Sequence, residues 1–287
     1  MAKNKQATVA IVQNRDIRQA VHESLKLIGG IKKLVPPKLG RAPTFLIKPN
    51  ACRPAEPNSG VVTNPHVVEA VIEEVRASGG IPIVGESCIG SSPQKTEKAL
   101  KDSGIWEATE RLGAKIVNFD LDKEVKTNIP KGKALKKIGI AKTALKSDVR
   151  ISVPVLKYHP TATVTLGLKN MKGCLPGPNK SETHACGLHQ AIADYNTILK
   201  PDLVIIDGTM AGAWGKLPEP VKLNVIIAGF DPVATDTVGS LVLGVDPNTV
   251  EHIRCAAELG LGTLDAKNIK IMGTQPERVS LKRLYSD

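Results

Sequence analysis

The chain alternates two kinds of apolar pattern. Short runs of β-branched and aliphatic residues at 8–12, 44–47, 81–84, 115–119, 149–155, 203–206, 223–228 and 268–272 read as buried strands. Between them, apolar residues recur three or four apart at 17–34, 65–77, 93–103, 105–112, 184–199, 232–243 and 249–259, with a short stretch at 143–146. These read as helices. Punctuation supports the division: Asn64-Pro65 opens one helix, Gly79-Gly80 closes it, and Gly104 separates two others. Strand alternating with helix predicts an α/β fold, a mostly parallel sheet flanked by helices. The stretch 125–138 leaves that rhythm and reads as a hairpin turning at Pro130-Lys131-Gly132. The expected organisation is a first α/β lobe at 1–124, a basic hairpin insertion at 125–148, and a second α/β lobe at 149–287 packed against the first. The segment 173–183, GCLPGPNKSET, reads as a loop long enough to be functional.

In an open α/β sheet, ligands bind beyond the carboxyl ends of the strands. Here those ends are polar. TFLI is followed by Lys48-Pro49-Asn50, IPIV by Gly85-Glu86-Ser87, and KIVNF by Asp120. ISVPV leads to Lys157 and His159, LVII to Asp207, and NVIIAGF to Asp231. Cys52 and Cys88 also follow strand ends closely. Asp231 before Pro232 fits a helix N-cap as well. Capping does not account for Lys48, Lys157 or Lys169, because a lysine near a helix start opposes the dipole. The densest stretch is 151–176, which carries Lys157, His159, Lys169, Asn170 and Lys172 with no acid among them. One-signed donors past a strand end point to a pocket for an anion.

The leading reading is therefore an enzyme that takes a small carboxylate or phosphate in a Lys/His-lined cleft, its reaction class left open. Lys157, His159, Lys169 and His184 are the expected catalytic groups. A lysine crowded by cations has a lowered pKa and serves as base or nucleophile, while histidine moves protons. Lys48, Asn50, Glu86, Ser87, Asn170, Lys172, Asp207 and Asp231 are expected to bind the substrate or orient the lysines.

Charge and cysteine usage add two alternatives. The net charge is +11, and Lys123, Lys126, Lys131, Lys133, Lys136, Lys137, Lys142 and Lys146 supply much of the excess. That run reads as a solvated basic surface; its other reading is a non-specific nucleic-acid binder. Aromatic residues make up only 3% of the chain, which argues against a stacking platform for bases. The five cysteines include no CxxC pair and suggest reduced thiols in a cytoplasmic protein. Cys174, Cys186 and His189, together with His184, raise the alternative of a redox protein holding a transition metal or iron–sulfur cluster. No apolar run reaches membrane-spanning length, and the N-terminal residues contain no leader-like apolar core, so no membrane is expected as a partner.

The strand-end residues also form a recognisable set. Lys48-Pro49-Asn50, Thr63-Asn64-Pro65, Gly85-Glu86-Ser87, and Pro154 with Lys157 and His159 are its first half. The second half is Gly167-Leu168-Lys169-Asn170-Met171-Lys172-Gly173, His184, Asp207-Gly208, and Asp231-Pro232-Val233-Ala234 with Asp236. Together they resemble the DUF362 family, over roughly residues 40–265. The resemblance implies an α/β fold and no defined activity. Many members carry a ferredoxin-like extension with repeated CxxCxxC cluster ligands; that motif does not occur in these residues. Gly212-Ala213-Trp214-Gly215-Lys216 stands where the family pattern implies a Gly-x-Gly-Pro-like turn. The order of strand-end lysines and histidines is also loosely similar to the nickel-pincer lactate racemase superfamily.

Overall fold

The structure, a computed structural model, describes residues 6–37, 39–212 and 219–284. The family-pattern departure expected at 213–216 lies outside these residues. The strands are β1 (Ala7–Gln13), β2 (Thr44–Pro49), β3 (Ile81–Glu86), β4 (Lys115–Asn118), β5 (Glu124–Asn128) and β6 (Lys137–Ala141). They continue with β7 (Val149–Val153), β8 (Val155–His159), β9 (Thr163–Thr165), β10 (Leu203–Gly212), β11 (Val221–Gly229) and β12 (Ile269–Gly273). The helices that matter below are α1 (Ile17–Ile28), α2 (Pro65–Ala77), α3 (Pro93–Asp102), α4 (Ile105–Arg111) and α5 (Lys142–Lys146). They are followed by α6 (Gly167–Asn170), α7 (Asn179–Ala185), α8 (Leu188–Leu199), α9 (Pro232–Val242) and α10 (Glu251–Glu258).

The main sheet has the order β12-β1-β11-β10-β7-β2-β3-β4, with β8 and β9 branching from β10. Strands β10, β7, β2, β3 and β4 run parallel, so their carboxyl ends share one rim. Strand β11 runs antiparallel to both β10 and β1 and ends at the opposite rim. Alternating strand residues feed two cores. Phe45, Ile47, Ile205 and Ala228 pack with α1 and α2 residues such as Leu25 and Val71. Leu46, Val204, Ile206 and Ile227 face the other way, onto Ile192, Val238 and Ile253 of α8, α9 and α10. The result is helices on both faces of a sheet, as the alternation predicts.

The hairpin is β5 paired antiparallel with β6, a sheet of its own. Two of its lysines are engaged in ion pairs: Lys126 with Glu124 at 2.8 Å, and Lys133 with Glu258 at 3.1 Å. Among the described residues no helix is long and apolar enough to cross a membrane.

Several elements differ from expectation for local reasons. The helix expected at 17–34 stops at Ile28, because Gly29 adopts the left-handed conformation (φ 95°) and donates back to the last turn. The strand expected at 149–155 is two strands. Pro154 has no N–H to give the ladder, so β7 stays between β2 and β10 while β8 swings out to pair with β9. The expected loop at 173–183 is a short turn followed by α7, which begins at Asn179. Gly187 (φ 98°) then separates α7 from α8 where one helix, 184–199, was expected.

Candidate functional site

The parallel rim carries a cavity of about 180 Å³. Its floor comes from β2 and β3, one wall from β8, and its roof from the Gly167–Gly173 segment and α7. Asn50, Glu86, Ser87, Lys157, His159, Lys169, Asn170, Lys172 and His184 all line it, so most of the residues expected from sequence come together. Cys52 and Thr165 line it too.

Beneath the cavity lies an ion pair removed from water. Lys48 is fully buried, and its Nζ donates to Glu86 Oε2 at 2.7 Å. Glu86 has its remaining needs met by backbone: Ala51 N donates to Oε2, and Ser87 N to Oε1, each at 2.9 Å. A buried carboxylate is tolerated when paired and hydrogen-bonded in this way. Asn170 joins the pair, donating from Nδ2 to Lys48 O at 2.8 Å and to Ser152 Oγ at 3.1 Å. Gly173 closes over it. A Cβ there would lie 2.6 Å from Lys48 Nζ, closer than real contacts allow. The Lys-Asn-x-Lys-Gly spacing thus places an amide and a side-chain-free residue against one buried salt bridge.

The cations above are held differently. Lys157 is buried and donates from Nζ to Asn50 Oδ1 and to Val61 O, each at 2.6 Å, with Cys52 Sγ at 3.6 Å. Burial lowers its pKa. Lys169 and Lys172 have no side-chain hydrogen bond among the described residues. Burial first, then the charges of Lys157 and Lys172, pushes Lys169 down to about 7. Burial, with Lys180 adding repulsion, takes Lys172 to about 8. His159 is pushed down to about 3 by burial and by the neighbouring lysines, so it is neutral at physiological pH. Its Nδ1 accepts from Thr161 N at 3.2 Å and Ala162 N at 3.0 Å, which leaves the ring proton on Nε2. His184 lies exposed at the mouth, its pKa lowered by partial burial and by Lys172 and Lys169.

Lys180 was not anticipated, because its segment reads as a loop. On α7 its Nζ reaches Ser87 Oγ and Ser91 Oγ, the latter at 3.1 Å. Ser87 passes the bond on to Asp120 at 2.7 Å. Its signal in the sequence was a lysine directly after Pro178-Asn179. Asp236, named with Asp231 in the strand-end set, supports the site from outside the cavity lining. Fully buried, it accepts from Gly167 N at 2.7 Å and Leu168 N at 2.9 Å and so holds the start of α6, which carries Lys169. Desolvation pushes its pKa up to about 7.

Five expected site residues lie elsewhere. Asp231 follows antiparallel β11 and sits at the opposite rim, where it caps α9 through Ala234 N at 2.9 Å and accepts from Thr263 N at 3.0 Å. Asp207 lies within β10, buried below the rim. It accepts from Asn64 N at 2.7 Å and Thr209 N at 2.9 Å, tying down the start of α2. Cys174 is fully buried among apolar residues, which push its thiol up to about 12. Cys186 Sγ points to Thr183 O at 3.9 Å, and His189 stacks on His252 with ring centroids 5.7 Å apart. Among the described residues no three His, Cys, Asp or Glu side chains gather into a group able to hold a metal ion.

Comparison with known proteins gives three findings. The chain is 29% identical over 267 residues to the thylakoid-associated protein sll1697 of Synechocystis sp., covering 88% of this chain and 80% of that protein. The solved lactate racemase apoprotein of Thermoanaerobacterium thermosaccharolyticum matches with a TM-score of 0.47 at 12% identity. That match covers 90% of this chain and 58% of the racemase. Residues 45–240 match the family described as "Domain of unknown function (DUF362)". The chain, with its strand-end lysines and its Lys-Asn-x-Lys-Gly segment, belongs to the DUF362 family.

Proposed function

We propose that the protein is an enzyme that binds a small anionic substrate, a carboxylate or phosphate, in the Lys/His cavity. One observation carries this reading. Lys169 and Lys172 border the cavity without a side-chain hydrogen bond among the described residues, while the carboxylate of its lining, Glu86, is already engaged by Lys48. Clustered, partly desolvated ammonium groups without acceptors repel one another, and an anion relieves both costs together.

The residues divide the work by their state. Lys172, at about 8, is mainly cationic at neutral pH and, with Lys180 beside it, holds the anion. Lys169, near half-protonated at pH 7, accepts a proton from carbon or oxygen, or attacks as an amine. Neutral His159 donates Nε2–H to a developing negative charge. Lys157 stands behind them, its Nζ held in place by Asn50 Oδ1 and Val61 O.

The test is a thermal-shift and calorimetric screen of small dicarboxylates and phosphates against wild type and Lys169→Ala. Binding raises Tm by mass action. The expected result is a ligand-induced rise in wild type that Lys169→Ala loses, the ligand-free variant melting no lower than wild type. An undiminished rise in the variant would remove Lys169 from the site.

A further inference from the structure

His189 was expected among metal ligands, yet it stands beside the β8–β9 turn. Its Nε2 lies 3.1 Å from Thr161 O, nearer than Glu251 Oε2 at 4.0 Å. Thr161 O and Ala162 N are the two ends of one peptide group. Ala162 N, in turn, donates to His159 Nδ1 at 3.0 Å. The path is therefore imidazole, peptide, imidazole: Nε2–H of His189 to C=O, and N–H of the same amide to Nδ1 of His159. A hydrogen bond to the carbonyl polarises an amide and strengthens the bond its N–H gives. A carbonyl oxygen can only accept, so the contact requires a proton on Nε2 of His189.

His252 supports the arrangement from behind. It is fully buried on α10 and stacks on His189 at an interplanar angle of 28°. Neither of its ring nitrogens, nor Nδ1 of His189, has a hydrogen-bond partner among the described residues. An apolar side chain would fill that space without leaving buried nitrogens unpaired, so packing alone does not account for two histidines there.

We propose that His189 is a positioning residue: through the 161–162 peptide it holds His159 as the Nε2–H tautomer, with His252 fixing the His189 ring. The inference deepens the cavity reading and rests on His159 acting as a proton donor there. It assigns His189 no contact with substrate.

The experiment is ¹⁵N NMR of histidine-labelled full-length protein without ligand, with His159 and His189 assigned from single substitutions. In wild type both rings are expected as Nε2–H tautomers; an Nδ1–H ring at either position overturns the proposal. In His189→Leu the Ala162 N–H bond to His159 remains and only its strengthening by polarisation is lost, so the ratio of Nε2–H to Nδ1–H forms at His159 is expected to fall up to about twofold. An unchanged ratio in that variant also overturns it. His189→Gln, whose amide nitrogen reaches the position of Nε2, should restore the wild-type ratio, and failure to restore it counts against the relay. Should His189→Leu fail to fold, wild type and His189→Gln still decide. Because no ligand is used, a failed anion screen leaves this measurement intact, and an Nδ1–H His159 leaves the lysine cavity standing.

Discussion

The protonation of Lys169 and Lys172 makes the cavity's affinity for anions a steep function of pH. Sulfate is the suitable probe, since its charge is constant from about pH 6 to about pH 9. Suppose that the bound complex keeps both lysines protonated across this range. Affinity then falls with the fraction of each lysine still charged in the free protein. For Lys169, at about 7, that fraction drops ~90-fold between the two pH values; for Lys172, at about 8, it drops ~10-fold. The product is ~1,000-fold, or ~4 kcal/mol. The assay is isothermal calorimetry at fixed ionic strength, because screening by added salt would flatten the dependence. In Lys169→Met, a neutral side chain of similar length, the span should shrink to ~10-fold, with weaker binding at the acid end. The ligand-free protein should respond with the opposite sign. Both lysines have folded pKa values below those of the unfolded chain. The unfolded state therefore binds more protons between about pH 7 and about pH 10, and their contribution to stability rises with pH there. Lys169→Met should accordingly melt higher than wild type at neutral pH and gain less on going alkaline. A sulfate affinity flat from pH 6 to 9, or an equal pH span in wild type and Lys169→Met, would refute the assignment of these lysines to the anion.

Two further substitutions probe the scaffold beneath. Glu86→Gln leaves the Lys48 ammonium buried without its counter-charge and should cost ~3–5 kcal/mol of stability, read by urea denaturation, because one partner of a buried pair is removed. Asp236→Asn replaces one of two oxygens that accept Gly167 N and Leu168 N with an NH₂ group. It should cost ~1–3 kcal/mol and weaken sulfate binding through the displaced α6, and unchanged binding in a folded variant would separate Asp236 from the site.

The alternation of apolar runs and helical stripes determined the α/β class, because both periodicities are local properties of the backbone. It also marked most of the cavity. Lys48, Glu86, Lys157 and the Lys169–Gly173 segment all stand just past an apolar run or in the segment one such run feeds, and a parallel sheet brings such ends together without further information. What the sequence left undetermined was the direction of each strand. Nothing in NVIIAGF distinguishes a strand running with its neighbours from one running against them, yet that direction sends Asp231 to the far rim. Asp207 ended up inside a strand longer than its apolar run, since β10 continues to Gly212 through backbone pairing with β11 and β8 rather than through hydrophobicity. Lys180 was hidden because GCLPGPNKSET carries loop composition, and only packing against the rim turned its second half into a helix. The His189–peptide–His159 path joins residues 28 to 30 positions apart through a hydrogen bond that no periodicity encodes. Local pattern specifies elements and what stands at their ends; strand direction, register and side-chain partners arise from long-range contacts, which only the folded chain makes.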